Sequence, residues 1–229
     1  MPGAGWASGR VLVSLAGGRF WPQGRELHLL VPGQGTDLRL AGVRYTDRSF
    51  EFPLYYRISV LRSLLGGAFQ VGVSFTHAKV YANPDAVVTA RGKWHARRVS
   101  GPKRLGDIIE SFSVSHGLNL FTLEVQPCLL RGGALELSAV AGAGLIWPHT
   151  EATLAGVHQE QYEWDGPVLE AGVDLRWWLD GRAALQATFL ASHCWLRKLN
   201  VPGGTVSTQI SGLHLTLGLA VRISGGGEP

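Results

Sequence analysis

In the segment "SGLHLTLGLAVRI", Leu213, Leu215, Leu217, Leu219, Val221 and Ile223 fall on one parity, and Gly212, His214, Thr216, Gly218, Ala220 and Arg222 on the other. A two-residue period sustained over this length marks a β-strand with one apolar face. "PVLEAGVDLRWW" repeats the pattern through Leu169, Ala171, Val173, Leu175 and Trp177, and "LELSAVAGAGLIW" carries it from Leu135 to Trp147. The remaining alternating stretches complete eight predicted strands, near residues 10–20, 54–63, 68–81, 118–130, 134–147, 164–178, 182–195 and 209–223. "LLGG", "RGG" and "LDGR" make tight turns, whereas the links 21–53, 80–117, 148–163 and 196–208 are long. Short turns at one end and long extracellular loops at the other are the asymmetry of an outer-membrane barrel.

Composition decides which face is inside. Charged residues make up 17% of the 229, against roughly 25% in soluble domains. A soluble barrel puts aliphatic side chains inside and charges outside. Here the non-aliphatic parity carries small residues such as Gly142, Gly144, Gly172, Gly212 and Gly218. It also carries Arg57, Glu124, Glu136, Glu170, Asp174, Arg176 and Arg222, which can neutralise one another in a narrow lumen. The expected fold is therefore all-β: one domain, 1–229, forming an eight-stranded antiparallel transmembrane β-barrel of the outer-membrane type, filled by side chains rather than bored as a pore. The first long loop holds its own pair of segments, "RELHLLV" and "TDLRLAGVRY"; segment 25–45 is either a loop hairpin or two further membrane strands. The tail 224–229, "SGGGEP", reads as disordered.

The start "MPGAGWASGR" lacks a signal-peptide pattern, so a barrel in the bacterial outer membrane implies that its signal is absent from this chain. Cys128 and Cys194 have neither zinc-like nor redox spacing. The net charge is +4, and six basic residues crowd between Arg91 and Arg104. That stretch is either a phosphate-meeting patch or a solvated loop. Outer-membrane lipid is the expected partner, nucleic acid is not, and the barrel is expected to be monomeric.

On the apolar parity of "FQVGVSFTHAKVYAN", Phe69, Val71, Val73 and Phe75 are followed by His77, Lys79 and Tyr81. The same parity places Asn119, His149 and Glu151 at the corresponding ends of the next two strands. One account is an interfacial belt shared with Trp147, Trp164 and Trp195, since amphipathic side chains gather at the membrane surface. The other takes His77, His149 and Glu151 as ligands of a divalent metal such as iron, because two imidazoles and a carboxylate suit non-haem Fe(II). His95 and His116 fall in or beside loops and are expected to be solvated.

"RSFEFPLYYRI", "VGVSFTHAKVYAN", "SGPKRLGD", "SHGLNLFTLEV", "GLIWPHTEA", "YEWDGPVLEAGVDL" and "VSTQISGLHLTLGLAVRI" resemble, in this order, segments of the bacterial lipid A oxidase family. The resemblance runs from about residue 40 to residue 223. It implies an outer-membrane barrel that oxidises the proximal glucosamine of lipid A to an aminogluconate, using oxygen and a divalent metal, with iron the implied ion. It carries over to Thr76, His77, Lys79 and Tyr81, to Gly117, Leu118 and Asn119, and to Pro148, His149 and Glu151. In this light His77, His149 and Glu151 would be catalytic metal ligands, while Lys79, Tyr81 and Asn119 would hold lipid A or lipopolysaccharide, Lys79 through a phosphate. The alternative is a non-enzymatic structural or adhesive barrel.

Overall fold

The computed structural model describes residues 10–223, so the tail 224–229 lies outside the described residues. Thirteen strands form one antiparallel sheet: β1 Val11–Val31, β2 Thr36–Ala41, β3 Tyr45–Thr46, β4 Tyr56–Leu64, β5 Phe69–Ala82, β6 Val87–Trp94, β7 Arg97–Arg104, β8 Ser111–Gly132, β9 Leu135–Leu154, β10 Val157–Tyr162, β11 Pro167–Trp178, β12 Ala183–Val201 and β13 Gly204–Ile223. Eight of them, β1, β4, β5, β8, β9, β11, β12 and β13, close into a ring through the pairing of β13 with β1. These are the eight strands expected from the alternation.

Several run further than expected. β8 has 22 residues, and β9 and β13 have 20 each. At ~3.3 Å per residue and ~40° of tilt, twenty residues climb about 50 Å, twice the ~25 Å apolar band of an outer-membrane barrel. Much of 148–163 and 196–208 is therefore strand rather than loop: β9 continues up to pair with β10, and β12 meets β13 at a turn through Pro202 and Gly203. β1 folds back on β2, Glu26 opposite Ala41 through Val31 opposite Thr36, so segment 25–45 is a hairpin standing on the ring and not two more membrane strands. A second hairpin, β6 with β7, occupies the middle of 80–117 and docks against β2.

The lower part of the ring is apolar outside. Leu123 is 71% exposed and Leu217 65%, with Val173, Leu175, Phe189 and Leu215 beside them in the same belt. Its lumen is polar and filled. Arg57 reaches Glu124 at 2.7 Å and Glu170 at 3.2 Å; Arg176 reaches Asp174 at 2.8 Å and Glu136 at 3.1 Å; Arg131 and Arg222 approach Glu136 at 3.3 and 3.6 Å. Four arginines meet four carboxylates, so the buried charges cancel. The ring is tight enough that a Cβ on Gly144 would lie 1.7 Å from the Phe121 carbonyl oxygen, which only glycine accommodates.

Higher up the polarity turns inside out. Leu27, Leu29, Leu38, Leu40, Val88, Leu118, Leu120, Ile146, Leu196, Val206 and Ile210 form one buried apolar core, while Glu26, Asp37 and Arg39 look outward from the same strands.

Candidate functional site

The strand registers stack the expected residues on the outer wall of β5, β8 and β9, just above the apolar belt. The lipid-facing run of β5 ends at Phe75. Tyr56, His77, Asn119 and Trp147 then lie side by side across four strands. One step higher, His149 stands opposite Tyr162 of β10, and one step above that Tyr81, Ser113, Glu151 and Glu160 form a third row. Sequence parity alone had placed His77, Lys79, Tyr81, Asn119, His149 and Glu151 on this face.

His77, Lys79, Asn119 and His149 are all buried. Tyr56 stacks on the His77 ring with centroids 5.2 Å apart, and the segment 47–55 folds over Lys79 and Tyr81. Lys79 Nζ donates to the Glu51 carbonyl oxygen at 2.8 Å, and the Arg48 guanidinium covers the Tyr81 ring at 4.1 Å. Lys79, expected to be ready for a phosphate, is thus engaged by a covering loop. Asn119 Nδ2 donates to the Trp147 carbonyl oxygen at 3.0 Å, while its Oδ1 meets His77 Nδ1 at 2.8 Å. With Oδ1 as acceptor, His77 carries its proton on Nδ1 and presents the lone pair of Nε2. His77 Nε2 is buried and has no hydrogen-bond partner among the described residues.

Two residues that the sequence reading left out of the site are His116 and Tyr162. Between Val114 and Leu118, β8 carries two residues more than either neighbour, a bulge formed by Ser115, His116 and Gly117. Gly117 sits at φ +137°, and a Cβ there would meet the Asn119 amide at 2.4 Å. Glycine at this point therefore lets Asn119 tuck beneath the bulge. His116 is exposed, as expected, but is turned onto the site: its ring meets His149 edge-on at 4.8 Å. Ser115 Oγ lies 3.1 Å from His116 Nδ1 and 3.5 Å from His149 Nδ1. Tyr162, also missed, packs on His149 at 4.4 Å. The signal was present in "SHGLN", a glycine interrupting a strand pattern, although it does not say which way a bulge turns its residues.

Burial lowers the Lys79 pKa below the lysine range; burial, then the His116 ring, lowers His149 below the histidine range; and burial raises Tyr81 above the tyrosine range. His149 is consequently neutral near pH 7, with a lone pair to offer. His77, His149 and Glu151 do not converge as the side chains stand. Among the described residues the group whose ligand atoms all lie within 4.8 Å of one another is Glu151, His158 and Glu160, on the β9–β10 hairpin. Glu151 Oε1 lies 3.8 Å from His158 Nε2. The expected donors are thus of the right chemical types, but in this arrangement they do not fit one ion.

A closed ring, an apolar belt, aromatic residues at its upper edge and a self-compensating lumen define an eight-stranded β-barrel of the bacterial outer membrane. Among solved structures, OprG from Pseudomonas aeruginosa superposes with a TM-score of 0.53 at 11% identity, covering 96% of this chain and 99% of OprG. The outer-membrane protein AlkL covers 100% of this chain and 97% of its own at 15% identity, with a TM-score of 0.48. At 11% identity the likeness to OprG is one of fold. No protein-family model matches the sequence, and no curated protein matches it significantly.

Proposed function

We propose that this barrel oxidises lipid A at the outer face of β5, β8 and β9. The observation that carries the proposal is a cluster of buried polar side chains on the outer parity of the wall, His77, Lys79, Asn119 and His149, with the Nε2 of His77 unpartnered. A barrel that serves only as a wall has no need to bury four polar side chains on its lipid-facing parity, since unpaired polar atoms there cost free energy. The resemblance of "FTHAKVYAN", "SHGLN" and "WPHTEA" to the lipid A oxidase family points the same way. In the proposed reaction the reducing end of the proximal glucosamine gives two electrons and two protons to dioxygen, and water opens the resulting lactone to the aminogluconate.

Asn119 fixes the tautomer of His77, so that Nε2 faces the sugar as a proton acceptor. Neutral His149 can take the second proton. Lys79 and Tyr81 hold the lipid phosphate once segment 47–55 lifts. A divalent metal, iron by the family resemblance, would activate oxygen when bound. As the side chains stand, Glu151 groups with His158 and Glu160 and does not complete a ligand set with His77 and His149.

That divergence favours a second reading, a non-enzymatic envelope barrel whose rim residues only anchor it. Mass spectrometry of lipid A separates the two. Cells carrying the exported protein are compared with cells carrying His149→Ala at equal membrane abundance, with oxygen and iron supplied. Gain of one oxygen atom with the native chain alone supports the oxidase; unchanged lipid A in both leaves the anchoring barrel.

A further inference from the structure

A second feature of the outer wall lies on β1, β2, β12 and β13, on other strands than the site above. A groove of about 570 Å³ opens there, in which Glu26 and His28 line the wall together with Arg25, Arg39, Arg197, Trp195, Ser207 and Gln209. Two bulges build it. β1 gains one residue between Gly24 and Leu27, and β12 gains one between Leu196 and Leu199. The second contains Arg197 and Lys198, whose backbone N–H groups both donate to the Asp165 carboxylate, so the bulge is pinned.

The charges in the groove are only partly balanced by the protein. Glu26 is occupied by Arg39 at 3.1 Å, and His28 by Asp37 at 2.7 Å. Among the described residues no carboxylate pairs with the Arg25 or Arg197 guanidinium. The basic surface continues from Arg39 across the hairpins. Arg39 stands directly opposite Arg91, and Lys93 directly opposite Arg98. Like charges facing each other across a ladder are destabilising on their own; Glu26 offsets Arg39 and Asp37 stands opposite Lys93, so the positive charge left over is that of Arg25 and Arg197, with Arg91 and Arg98 beyond them, and an anion held there relieves it.

Position selects which anion. Trp21 and Trp195 mark the upper edge of the apolar belt on this side. Arg25 follows Trp21 by four residues, about 10 Å up the wall at ~3.3 Å per residue and ~40° of tilt. That is headgroup depth, where long arginine side chains reach phosphates while their stems lie along apolar surface. Arginine forks match phosphate oxygens bidentately, and Gln209 and Ser207 add neutral donors. We infer that the Arg25–Arg39–Arg197 groove binds the phosphates of a phosphorylated glycolipid of the outer leaflet, at a place separate from the His77 site and independent of any chemistry there.

The test is native mass spectrometry of the detergent-solubilised full barrel, comparing the native chain with an Arg25→Gln/Arg197→Gln variant. The two arginines are exposed and unpaired, so the variant should keep the heat-modifiable gel mobility of a folded barrel. The probes are bisphosphorylated lipid A, the same lipid A stripped of phosphate, and inorganic phosphate alone. The inference expects bisphosphorylated lipid A to be retained at least about tenfold more weakly by the variant. The stripped lipid should bind both proteins alike. Equal retention of bisphosphorylated lipid A by the two proteins overturns the inference. Displacement of the lipid by equimolar inorganic phosphate also overturns it, making the groove a free-anion site.

Discussion

The lower and upper parts of this barrel are built from the same strands with opposite polarity. On β13, Leu217 looks outward and Thr216 inward, while a few residues earlier Gln209 looks outward and Ile210 inward. Below, the outside is lipid and the inside is a charge network; above, the outside is water and headgroups and the inside is an apolar core. The surrounding solvent sets which arrangement is stable, because apolar surface is favourable against hydrocarbon and unfavourable against water. The change of solvent is met by bulges on β1 and β12. One extra residue shifts parity, so odd-numbered Leu15 and Trp21 face out below the β1 bulge and odd-numbered Leu27, Leu29 and Val31 face in above it. The candidate site sits at the boundary, where outward side chains pass from lipid to headgroup.

The comparison can be broken most severely inside the lower part. Arg176→Met leaves Glu136 and Asp174 buried without their main cation, and removal of one partner from a buried ion pair costs ~3–5 kcal/mol; the urea midpoint of the reconstituted barrel should fall accordingly. If the midpoint stays, the network is not what holds the lumen. In the upper part, Leu40→Ala opens a cavity worth ~2–5 kcal/mol. Its loss should appear as faster amide exchange in β1, β2 and β6 above the girdle, with the membrane strands still protected. Uniform loss over both parts would mean that they do not respond as two units. On the outside, Leu217→Arg should cost ~2–4 kcal/mol near the bilayer midplane and reduce the folded fraction in outer membranes. Arg39→Leu, also outward but above the hydrocarbon layer, should change folding by no more than ~0.5 kcal/mol. Equal tolerance of the two would remove the polarity inversion altogether.

The boundary gives the smallest effect on stability. Asn119→Ala removes an acceptor from His77 and a donor to the Trp147 carbonyl, for about 1 kcal/mol. It should nevertheless lower lipid A oxidation at least tenfold by freeing the His77 tautomer, while Asn119→Asp, which keeps the acceptor, should retain more of it. Unchanged oxidation in the alanine variant would take His77 out of the reaction.

Much of this was legible along the chain. Alternation placed all eight ring strands, and parity put His77, Lys79, Tyr81, Asn119, His149 and Glu151 on one outer face, because strand periodicity is local and a closed ring preserves it. The inward assignment of Arg57, Glu124, Glu170 and Arg176 also followed, since charged residues on one parity of otherwise apolar strands have nowhere else to go in a membrane. What sequence could not supply were events between strands. The two-residue bulge that turns His116 onto His149, the cover of segment 47–55 over Lys79 and the turn of Glu151 toward His158 each depend on neighbours remote in the chain. The upper core was hidden for a related reason. A leucine on odd parity reads the same on either side of a bulge, and only the pairing of β1 with β13 and β2 decides whether it meets lipid or the interior.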